Sequence, residues 1–519
     1  MKFNDGYSSN GVMYEPYSST DFPFDADYPN SRGAQLHACV LEAEIDCADA
    51  YRLISAGSVY SFWLDSAREE SPMSRYSYMG VVPDEATVLL DRNVGEFYGE
   101  DAPGEHAIYE FDGTGRELSR NTGNAARTLR TFLSFAPKVV DAPAELSQAL
   151  LGGYVGYFGY EFRAHTEPAS PVKHRSNTPD ALWMQAVRYM IHDHENGKNW
   201  LVGDEQWLDE IEPALQTHAE SDESVVAQGD RNPLSGLVFV APTRESYTDD
   251  VRECQREIFE GNSYEICLTA QTRAQASNPV SKEDALATYL AQRQHNAAPY
   301  AAFMHCKDFY ILSSSPERFM SISPDRQAET KPIKGTIARS ADPAEDVRHA
   351  QWLKNDPKTR AENLMIVDLL RNDLSRVSYP DSVQVPVLMG VESYSTVHQL
   401  VSTVRSQVRR DVHPVDAVLA CFPGGSMTGA PKPSTLDIID RLEGRARGVY
   451  SGVLGFFSET GAVNLSIVIR TLVAAASGEV TLSAGGAIVA DSDPDAEYDE
   501  MVTKLRAALP LGVGEVAAS

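Results

Sequence analysis

The segment KTRAENLMIVDLLRNDLSR (Lys358–Arg376) has the periodicity of a helix that buries one face. Ile366, Leu369 and Leu370 define the inward face of this helix. Glu362 lies on the same face, because it precedes Ile366 by four residues. An inward carboxylate must be paired or must bind a metal, since an isolated buried charge is very costly. The helix pattern leaves both interpretations open: a salt bridge to a neighbouring arginine, or a metal ligand.

The segment DAEYDEMVTKLRAAL (Asp495–Leu509) predicts a second helix with charged side chains along one stripe. Glu497, Glu500 and Lys504 recur at intervals of three and four residues, so they share one face. Two carboxylates one turn apart bind a hard cation such as Mg²⁺ through oxygen atoms and bound water. The alternative is a solvated face with a Glu500–Lys504 ion pair, which contributes only about 0.3–0.5 kcal/mol.

Glycine-rich stretches mark two places where backbone approaches a ligand or makes a turn. The segment CFPGGSMTGAPKPS (Cys421–Ser434) precedes a predicted helix, and such entries bind anions through backbone N–H groups. It is not a Walker A loop, because Gly429 is followed by Ala-Pro-Lys. Gly485 and Gly486 follow a strand that starts at Val480. Ordinary turn chemistry remains the alternative for both stretches.

The segment ETKPIKGTIAR (Glu329–Arg339) contains a lysine in a strand-and-turn context. Lys334 is either a surface lysine, as most lysines are, or an amine nucleophile. A nucleophilic amine needs a depressed pKa to be neutral. We expect burial and the neighbouring Lys331 to lower the pKa of Lys334.

The bulk composition excludes several classes of protein. The 519 residues carry a formal net charge of −29, which argues against a nucleic-acid partner because such binding neutralises phosphates with lysine and arginine. No apolar run approaches the ~20 residues that span a membrane, and the N-terminus does not resemble a secretory signal. None of the six cysteines forms a C-x-x-C pair, which favours reduced, mostly buried thiols and a cytoplasmic location.

Composition divides the chain into three regions. Residues 1–34 are an acidic extension rich in Tyr, Ser and Asn, which we expect to be mobile or loosely docked. The acidic, polar segment from Gln216 to Pro233 is typical of a linker or a long surface loop. We therefore predict one domain over residues 35–235 and a second over residues 236–519.

The predicted elements favour an α+β fold with large, mostly antiparallel sheets. The β-like runs of the first domain are Val59–Leu64, Tyr76–Val82 and Trp183–His192. The second domain mixes strands such as Val480–Ala484 with helices such as Ser246–Gly261, for which Ser246 is the predicted N-cap. Helices and strands do not alternate with the spacing of βαβ units, which argues against a parallel sheet.

Nine segments of the second domain, taken in this order, resemble one family. They are SPERF (315–319), PIKGT (332–336), RAENLMIVDLLRNDLSR (360–376), VHQLVSTV (397–404), FPGGSMTGAPK (422–432), RGVYSGVLGF (447–456), IRT (469–471), AGGAIVADSDP (484–494) and EYDEMVTK (497–504). The family is the chorismate-utilising enzymes, which include anthranilate, aminodeoxychorismate, isochorismate and salicylate synthases. The first domain resembles the family more loosely, through VYSFWLDSA and SRYSYMG within Val59–Gly80.

The resemblance implies a fold and a metal site. The expected fold has two large antiparallel β-sheets packed face to face, with helices outside and a central active-site cleft. Glu362 and Glu500 resemble the family's Mg²⁺ ligands, and Glu497 resembles a residue that helps through water. The Mg²⁺ ion in turn holds the ring carboxylate of chorismate. Such a cation lets a very acidic protein accept a dianion.

The resemblance also implies how the substrate is held. The backbone N–H groups of Gly485 and Gly486, together with Lys504, resemble the rest of the ring-carboxylate site. Tyr450 and Arg470 resemble the residues that hold the enolpyruvyl carboxylate. The residues that resemble the lining of the ring pocket are His398 and Thr428.

The motif PIKGT resembles aminodeoxychorismate synthases, whereas anthranilate synthases typically read PIAGT. This resemblance implies that Lys334 attacks C2 of the ring and that Glu317 protonates the leaving C4 hydroxyl, after which ammonia enters at C4. The strand SYEICLTAQ (Ser263–Gln271) offers Glu265 where water-activating relatives carry a lysine, and the resemblance assigns Glu265 no role. Anthranilate synthase component I is the alternative activity.

The expected product, 4-amino-4-deoxychorismate, belongs to the p-aminobenzoate and folate branch. A glutaminase that supplies ammonia needs a nucleophilic cysteine on a glycine-flanked turn. None of the six cysteines has a G-x-C-x-G setting. We therefore expect a separate glutamine amidotransferase subunit as partner, or free ammonia in vitro.

Overall fold

The computed structural model describes residues 35–67, 73, 75–93, 106–122, 125–221, 234–394, 397–510 and 514–517. The predicted N-terminal extension, residues 1–34, lies outside the described residues. Residues 222–233 of the predicted linker also lie outside them, whereas residues 216–220 belong to a helix.

The described residues form strands and α-helices along the whole chain. The strands up to residue 203 are β1 (Gln35–Leu41), β2 (Tyr60–Asp65), β3 (Tyr76–Val81), β4 (Val88–Asn93), β5 (His106–Phe111), β6 (Glu117–Thr122), β7 (Lys138–Val139), β8 (Tyr154–Phe158), β9 (Ala181–Gln185), β10 (Arg188–Asp193) and β11 (Lys198–Gly203). The later strands are β12 (Leu237–Val240), β13 (Glu265–Gln275), β14 (Tyr300–Cys306), β15 (Phe309–Ser315), β16 (Arg318–Ile322), β17 (Gln327–Thr330), β18 (Ile333–Ala338), β19 (Gln384–Ser393), β20 (Val397–Gln407), β21 (Gly429–Ala430), β22 (Val453–Phe457), β23 (Val463–Ile467), β24 (Thr471–Ala475), β25 (Glu479–Ile488) and β26 (Gly514–Ala517). The helices are α1 (Cys47–Ile54), α2 (Ala125–Ser134), α3 (Glu205–Glu220), α4 (Arg244–Phe259), α5 (Lys282–His295), α6 (Pro343–Asn355), α7 (Pro357–Ser375), α8 (Pro414–Ala420), α9 (Lys432–Glu443) and α10 (Pro494–Ala508).

Two 12-stranded sheets organise these elements. Sheet A has the order β21-β13-β25-β24-β15-β14-β2-β3-β10-β11-β1-β7. Sheet B has the order β18-β20-β17-β16-β23-β22-β8-β9-β4-β5-β6, with β19 also paired to β20. Neighbouring strands are antiparallel in both sheets except for β1 and β7, which pair in parallel. A separate parallel pair joins β12 to β26.

The two sheets pack face to face. A buried apolar cluster combines side chains from both of them. Tyr78 of β3 meets Phe456 of β22 edge to face, with ring centroids 5.4 Å apart. Tyr157 of β8 meets Phe309 of β15 in the same way at 6.5 Å. Side chains from two inner faces that interlock in this manner form the core of a sheet-on-sheet fold.

Helices cover the outer faces of the sandwich. Against sheet A, helices α1, α4, α5 and α10 bury residues such as Tyr289 and Met501. Against sheet B, α7 buries Ile366 and Leu370 in a second cluster with α2 and α8. Mixed α+β architecture with two large, almost wholly antiparallel sheets and outer helices confirms the predicted fold class.

Both halves of the chain contribute strands to both sheets. In sheet A, β2 pairs with β14, and in sheet B, β8 pairs with β22. The division into residues 35–235 and 236–519 therefore stays a prediction about how the chain is organised.

Two predicted elements differ from the structure. The run Trp183–His192 is two strands rather than one, because the chain leaves sheet B after β9 and enters sheet A at β10. Both strands are buried, so the apolar pattern continues through the crossing. Helix α4 starts earlier than predicted, and its N-cap is Thr243, whose hydroxyl accepts from the Ser246 N–H at 3.0 Å.

Among the residues that the structure describes, no helix combines the length and the apolar character that a membrane crossing requires.

Candidate active site

The candidate site lies where corresponding ends of the two sheets meet. Lys334 is on β18, the edge strand of sheet B, and Glu265 begins β13 near the edge of sheet A. The Nζ of Lys334 lies 3.3 Å from Oε1 of Glu265. The two side chains are only 12% and 1% exposed, respectively. A buried ion pair therefore bridges the cleft between the sheets.

The pKa of Lys334 is raised, contrary to the prediction. Burial alone lowers this pKa, but the carboxylates of Glu265 and Glu362 outweigh burial and hold it above its usual value. The expected influence of Lys331 is weak because its Nζ pairs with Glu392 at 2.8 Å. Sequence proximity suggested repulsion between two lysines, whereas the fold gives each lysine its own carboxylate.

Glu317 lies in the connection from β15 in sheet A to β16 in sheet B, at the same end of the cleft. It is buried, and burial raises its pKa to about 7. The groups that oppose this rise are Lys334, the backbone N–H of Ile333, Lys504 and Arg470. A carboxyl group that keeps its proton near neutral pH is suited to act as a general acid.

The three predicted metal ligands are accompanied by two lysines. Glu497 is 3% exposed, and its Oε1 accepts from Lys358 Nζ at 3.1 Å. The same Lys358 Nζ lies 3.9 Å from Oε1 of Glu362. Glu500 Oε1 pairs with Lys504 Nζ at 2.6 Å. Helices α7 and α10 thus bring their carboxylates to one end of the cleft, where lysines partly neutralise them.

The chemistry of this carboxylate set suits a hard cation. Burial raises the pKa of Glu362, and Glu265 and Glu500 raise it further against the effect of two lysines. A cluster in which carboxylates still repel one another gains from an added cation with oxygen preference. Within the described parts of the chain, however, no three side chains of ligating type stand together ready to hold a metal.

The two glycines of β25 leave space beside these carboxylates. A Cβ on Gly486 would lie 3.0 Å from Oε2 of Glu497 and 3.9 Å from Oε1 of Glu500. A Cβ on Gly485 would collide with the Leu268 carbonyl oxygen of β13 at 2.1 Å. Lys504 Nζ donates to the Gly485 carbonyl oxygen at 2.9 Å. Strand β25, Lys504 and the carboxylates of α10 are therefore neighbours, and the ring-carboxylate site predicted from them stays a prediction.

The other predicted substrate residues occupy different settings. Tyr450 is buried and lines a large cavity, and burial raises the pKa of its hydroxyl. Arg470 has φ 51° and a guanidinium close enough to Glu317 to favour the charged form of that carboxyl. Thr428 is completely buried, and its hydroxyl donates to the Gly424 carbonyl oxygen at 3.1 Å. The Thr428 side chain therefore stabilises the loop to which it belongs.

His398 is buried on β20 and contacts helix α6 and strand β19. Its Nε2 lies 3.0 Å from Oδ1 of Asp346 on α6, and its Nδ1 lies 2.7 Å from Ser393 Oγ. Side chains alternate between the faces of a strand, so the next residue of β20, Gln399, points to the other face. Gln399 is 4% exposed, and its Nε2 is 3.5 Å from the Thr336 hydroxyl of the PIKGT motif. The ring-pocket role of His398 stays a prediction.

The sequence pattern gave no role to three residues of this region. Lys358 precedes Glu362 by four residues on α7, and that helical spacing was a usable signal. For Gln399, next to Thr336, no sequence signal tells which face of β20 it occupies. Glu265 was noticed, but no sequence signal pairs it with Lys334, which lies 69 residues later.

The described cysteines are free thiols and do not resemble a glutaminase nucleophile. Burial raises the pKa of Cys39, Cys254, Cys267, Cys306 and Cys421. A nucleophilic cysteine needs the opposite shift.

Comparison with known proteins decides the family. A family model described as chorismate binding enzyme matches residues 95–510. The chain belongs to the chorismate binding enzymes. The match includes every residue named above as a candidate ligand, acid or nucleophile.

Curated relatives and solved structures agree with this membership. The chorismate binding enzyme is 41% identical to "Aminodeoxychorismate synthase" of Streptomyces pristinaespiralis, over 91% of this chain and 64% of the relative. It is 37% identical to "Aminodeoxychorismate synthase component 1" of Escherichia coli (strain K12), over 68% of this chain and 75% of the relative. The chain thus spans less than two thirds of the Streptomyces relative. The crystal structure of anthranilate synthase component I from Streptococcus pneumoniae TIGR4 is similar, with TM-score 0.67 and 26% identity over 85% of this chain and 93% of that one.

Proposed function

We propose that the chain catalyses the Mg²⁺-dependent amination of chorismate at C4, so that chorismate and ammonia give 4-amino-4-deoxychorismate and water. The observation that carries this proposal is the buried position of Lys334, in contact with Glu265 and near Glu317. The names of the two curated relatives described above support it.

In the proposed first step, Lys334 attacks C2 of the ring and the C4 hydroxyl leaves. Because the pKa of Lys334 is raised, the amine must lose a proton before it attacks. Glu265 Oε1, 3.3 Å from the Nζ, is a carboxylate oxygen in position to accept that proton. Glu317 donates its own proton to the hydroxyl, which departs as water. The C2–N bond forms, the C4–O bond breaks and both conjugated double bonds of the ring shift, so that they then join C1 to C6 and C4 to C5.

In the proposed second step, ammonia attacks C4 and expels the lysine amine from C2. The two double bonds return to their original places, and the C4–N bond remains in the product. Ammonia loses one proton, which Glu317, left as a carboxylate by the first step, is able to accept. Glu265 returns its proton to the released amine of Lys334, so the enzyme regains its starting protonation state and only water is released besides the product.

Mg²⁺ is part of the proposal, with Glu362 and Glu500 as ligands and Glu497 acting through water. The ion supplies positive charge against the ring carboxylate of the substrate. Lys504 and the backbone N–H groups of Gly485 and Gly486 would hold the same carboxylate, while Tyr450 and Arg470 would hold the enolpyruvyl carboxylate. The crowded carboxylates of α7 and α10 support the choice of a hard cation.

We also propose that the chain works in the cytoplasm and receives ammonia from a separate glutamine amidotransferase subunit. The purified single chain should convert chorismate with ammonium chloride and should be inactive with glutamine as sole nitrogen source, since its described thiols are not activated. Mass spectrometry of the product, recorded with and without a lyase, shows whether ammonium and glutamine each support the reaction. Glutamine-dependent activity of the single chain would contradict the separate subunit.

The pH profile of kcat should report Glu317. Its acid form is the active one, and its pKa is raised to about 7, so kcat should fall as pH rises through about 7. Glu317→Gln should lower kcat on the order of 10²–10⁴-fold and remove this limb of the profile. An unchanged alkaline limb in Glu317→Gln would assign the titration to another group.

Anthranilate synthase is the second candidate, and one observation favours it. A lysine that the fold keeps protonated is poorly prepared to attack, and anthranilate synthase needs no amine at C2. Incubation with chorismate, Mg²⁺ and ammonium separates the two activities. Anthranilate fluoresces without any further enzyme, whereas aminodeoxychorismate becomes aromatic only after a lyase is added. Fluorescent product from the single chain would replace the first proposal with the second.

A further inference from the structure

A second compartment lies between the two sheets, beyond the site that contains Lys334. It is a cavity of about 910 Å³, lined by β4 and β5 of sheet B and by β13, β24 and β25 of sheet A. On β13, Glu265 marks the catalytic end, and Arg273, on the same face of the strand, lines the cavity. Of the described residues that line this cavity, Tyr450 alone has a role in the proposed amination.

Positive side chains dominate the lining of this cavity. The cationic residues are Arg92, Arg175, Arg273, Lys307, Arg445 and Arg447, and the acidic residues are Asp308 and Glu479. Such an excess is unexpected in a chain of net charge −29. Arg92, Arg273 and Lys307 are exposed toward this open space. Neighbouring cations repel one another, and an anion bound between them reduces that repulsion.

Several of these cations are satisfied by neutral groups alone. Arg273 donates from Nε and Nη2 to Gln271 Oε1 at 3.2 and 3.1 Å. Lys307 Nζ donates to the Gly115 carbonyl oxygen at 2.8 Å. Among the described residues, no carboxylate oxygen lies within 4.0 Å of the charged nitrogens of Arg92, Arg273 or Lys307. Their charges are therefore available to a ligand.

Aromatic side chains line the same cavity. Tyr109 and Phe111 of β5 are stacked with ring centroids 6.1 Å apart and an interplanar angle of 14°. The Nζ of Lys307 lies 5.5 Å from the centroid of the Phe111 ring. A flat ring has apolar surface to pack against, and a carboxylate on that ring finds a cation close by.

A buried ionic cluster lies beside this cavity. Arg447 pairs with Glu443 at 2.6 Å and donates to the Cys267 carbonyl oxygen of β13 at 2.8 Å. Glu443 accepts from the Thr269 N–H at 2.8 Å. Tyr450 follows Arg447 in the same connection and lines the cavity. A ligand in the cavity would therefore touch the segment that carries a proposed substrate residue.

We infer that this cavity is a second binding site, distinct from the amination site, for a small ring-bearing carboxylate. The inference does not depend on which reaction the chain catalyses. Its cationic walls select the carboxylate, and its stacked aromatic side chains select the ring.

Anthranilate, which is intrinsically fluorescent, is a suitable probe. Binding to the full chain without Mg²⁺ should be saturable in fluorescence anisotropy. Arg92→Glu/Arg273→Glu should weaken it at least about tenfold, since two favourable charges become unfavourable. The matched control is Arg252→Glu/Arg348→Glu, which makes the same change in net charge at exposed positions on α4 and α6. The control and Lys334→Ala should bind like the unmodified chain.

Three outcomes would overturn the inference. They are absence of saturable binding, equal binding by the cavity variant and the control, and loss of binding in Lys334→Ala. Displacement of the probe by chorismate with Mg²⁺, in simple competition, would also place it in the amination site. If Arg92→Glu/Arg273→Glu does not fold, judged by its thermal melt, Arg92→Gln/Arg273→Gln should weaken binding in the same direction.

Discussion

Lys334→Ala should lower kcat for chorismate amination on the order of a thousandfold or more, with little change in KM. The reason is that the covalent route through C2 requires an amine, and no water or neighbouring carboxylate replaces it. Removing the lysine also opens C2 to ammonia, so the variant is expected to release some anthranilate. Steady-state kinetics with ammonium, combined with fluorescence of the product, measures both effects. A lysine adduct found by mass spectrometry of rapidly quenched enzyme would demonstrate the nucleophile directly.

Lys334→Arg is the matched control for charge. If Lys334 only presents a positive charge to the leaving hydroxyl, the arginine variant keeps that charge and should keep substantial activity. If Lys334 is the nucleophile, the arginine variant should be nearly as slow as the alanine variant. A fast Lys334→Arg enzyme with no adduct ever trapped would disprove covalent catalysis. Membership of the chorismate binding enzymes would be unaffected, because the family match spans residues 95–510.

The ionisation of Lys334 illustrates what sequence reasoning could not reach. Burial and the neighbouring Lys331 suggested a depressed pKa. The residue that dominates its charge state, Glu265, comes from the other sheet and from 69 residues earlier. Contacts between sheets follow from strand order, and in this fold both sheets mix strands from both halves of the chain. No local pattern encodes that order.

Helical residues at the site were easier to predict than strand residues. The spacing of Glu362, Glu497 and Glu500 assigned each to one helix face, and α7 and α10 present these carboxylates at the same end of the cleft. On β20 the same reasoning cannot choose between the faces, because both faces of that strand are buried. His398 against α6 and Gln399 against Thr336 are equally compatible with the sequence. Because both faces are buried in β9 and β10 as well, the sequence pattern does not show that the chain crosses from sheet B to sheet A between them.

Removing the metal should have the second large effect. Excess chelator is expected to abolish turnover, and added Mg²⁺ should restore it. Glu362→Gln and Glu500→Gln should each lower kcat/KM at least about a thousandfold in saturating Mg²⁺, since several kcal/mol of charge stabilisation depend on the ion. Asp368→Asn is a control on the same helix as Glu362, because Asp368 is exposed and pairs with Arg371 at 3.3 Å. Thermal melts should show that all three variants remain folded.

The lysines of this site provide a further test of the metal prediction. Lys504 holds Glu500 at 2.6 Å and keeps the pKa of that carboxyl below its usual value, despite the burial that raises it. A cation that binds Glu500 must compete with this pair or share the carboxylate with it. Lys504→Met should therefore tighten Mg²⁺ binding, measured by titration calorimetry without substrate, while it weakens the hold on chorismate. Full activity of the unmodified chain in excess chelator would show that Lys358 and Lys504 alone balance these carboxylates and that the reaction needs no metal.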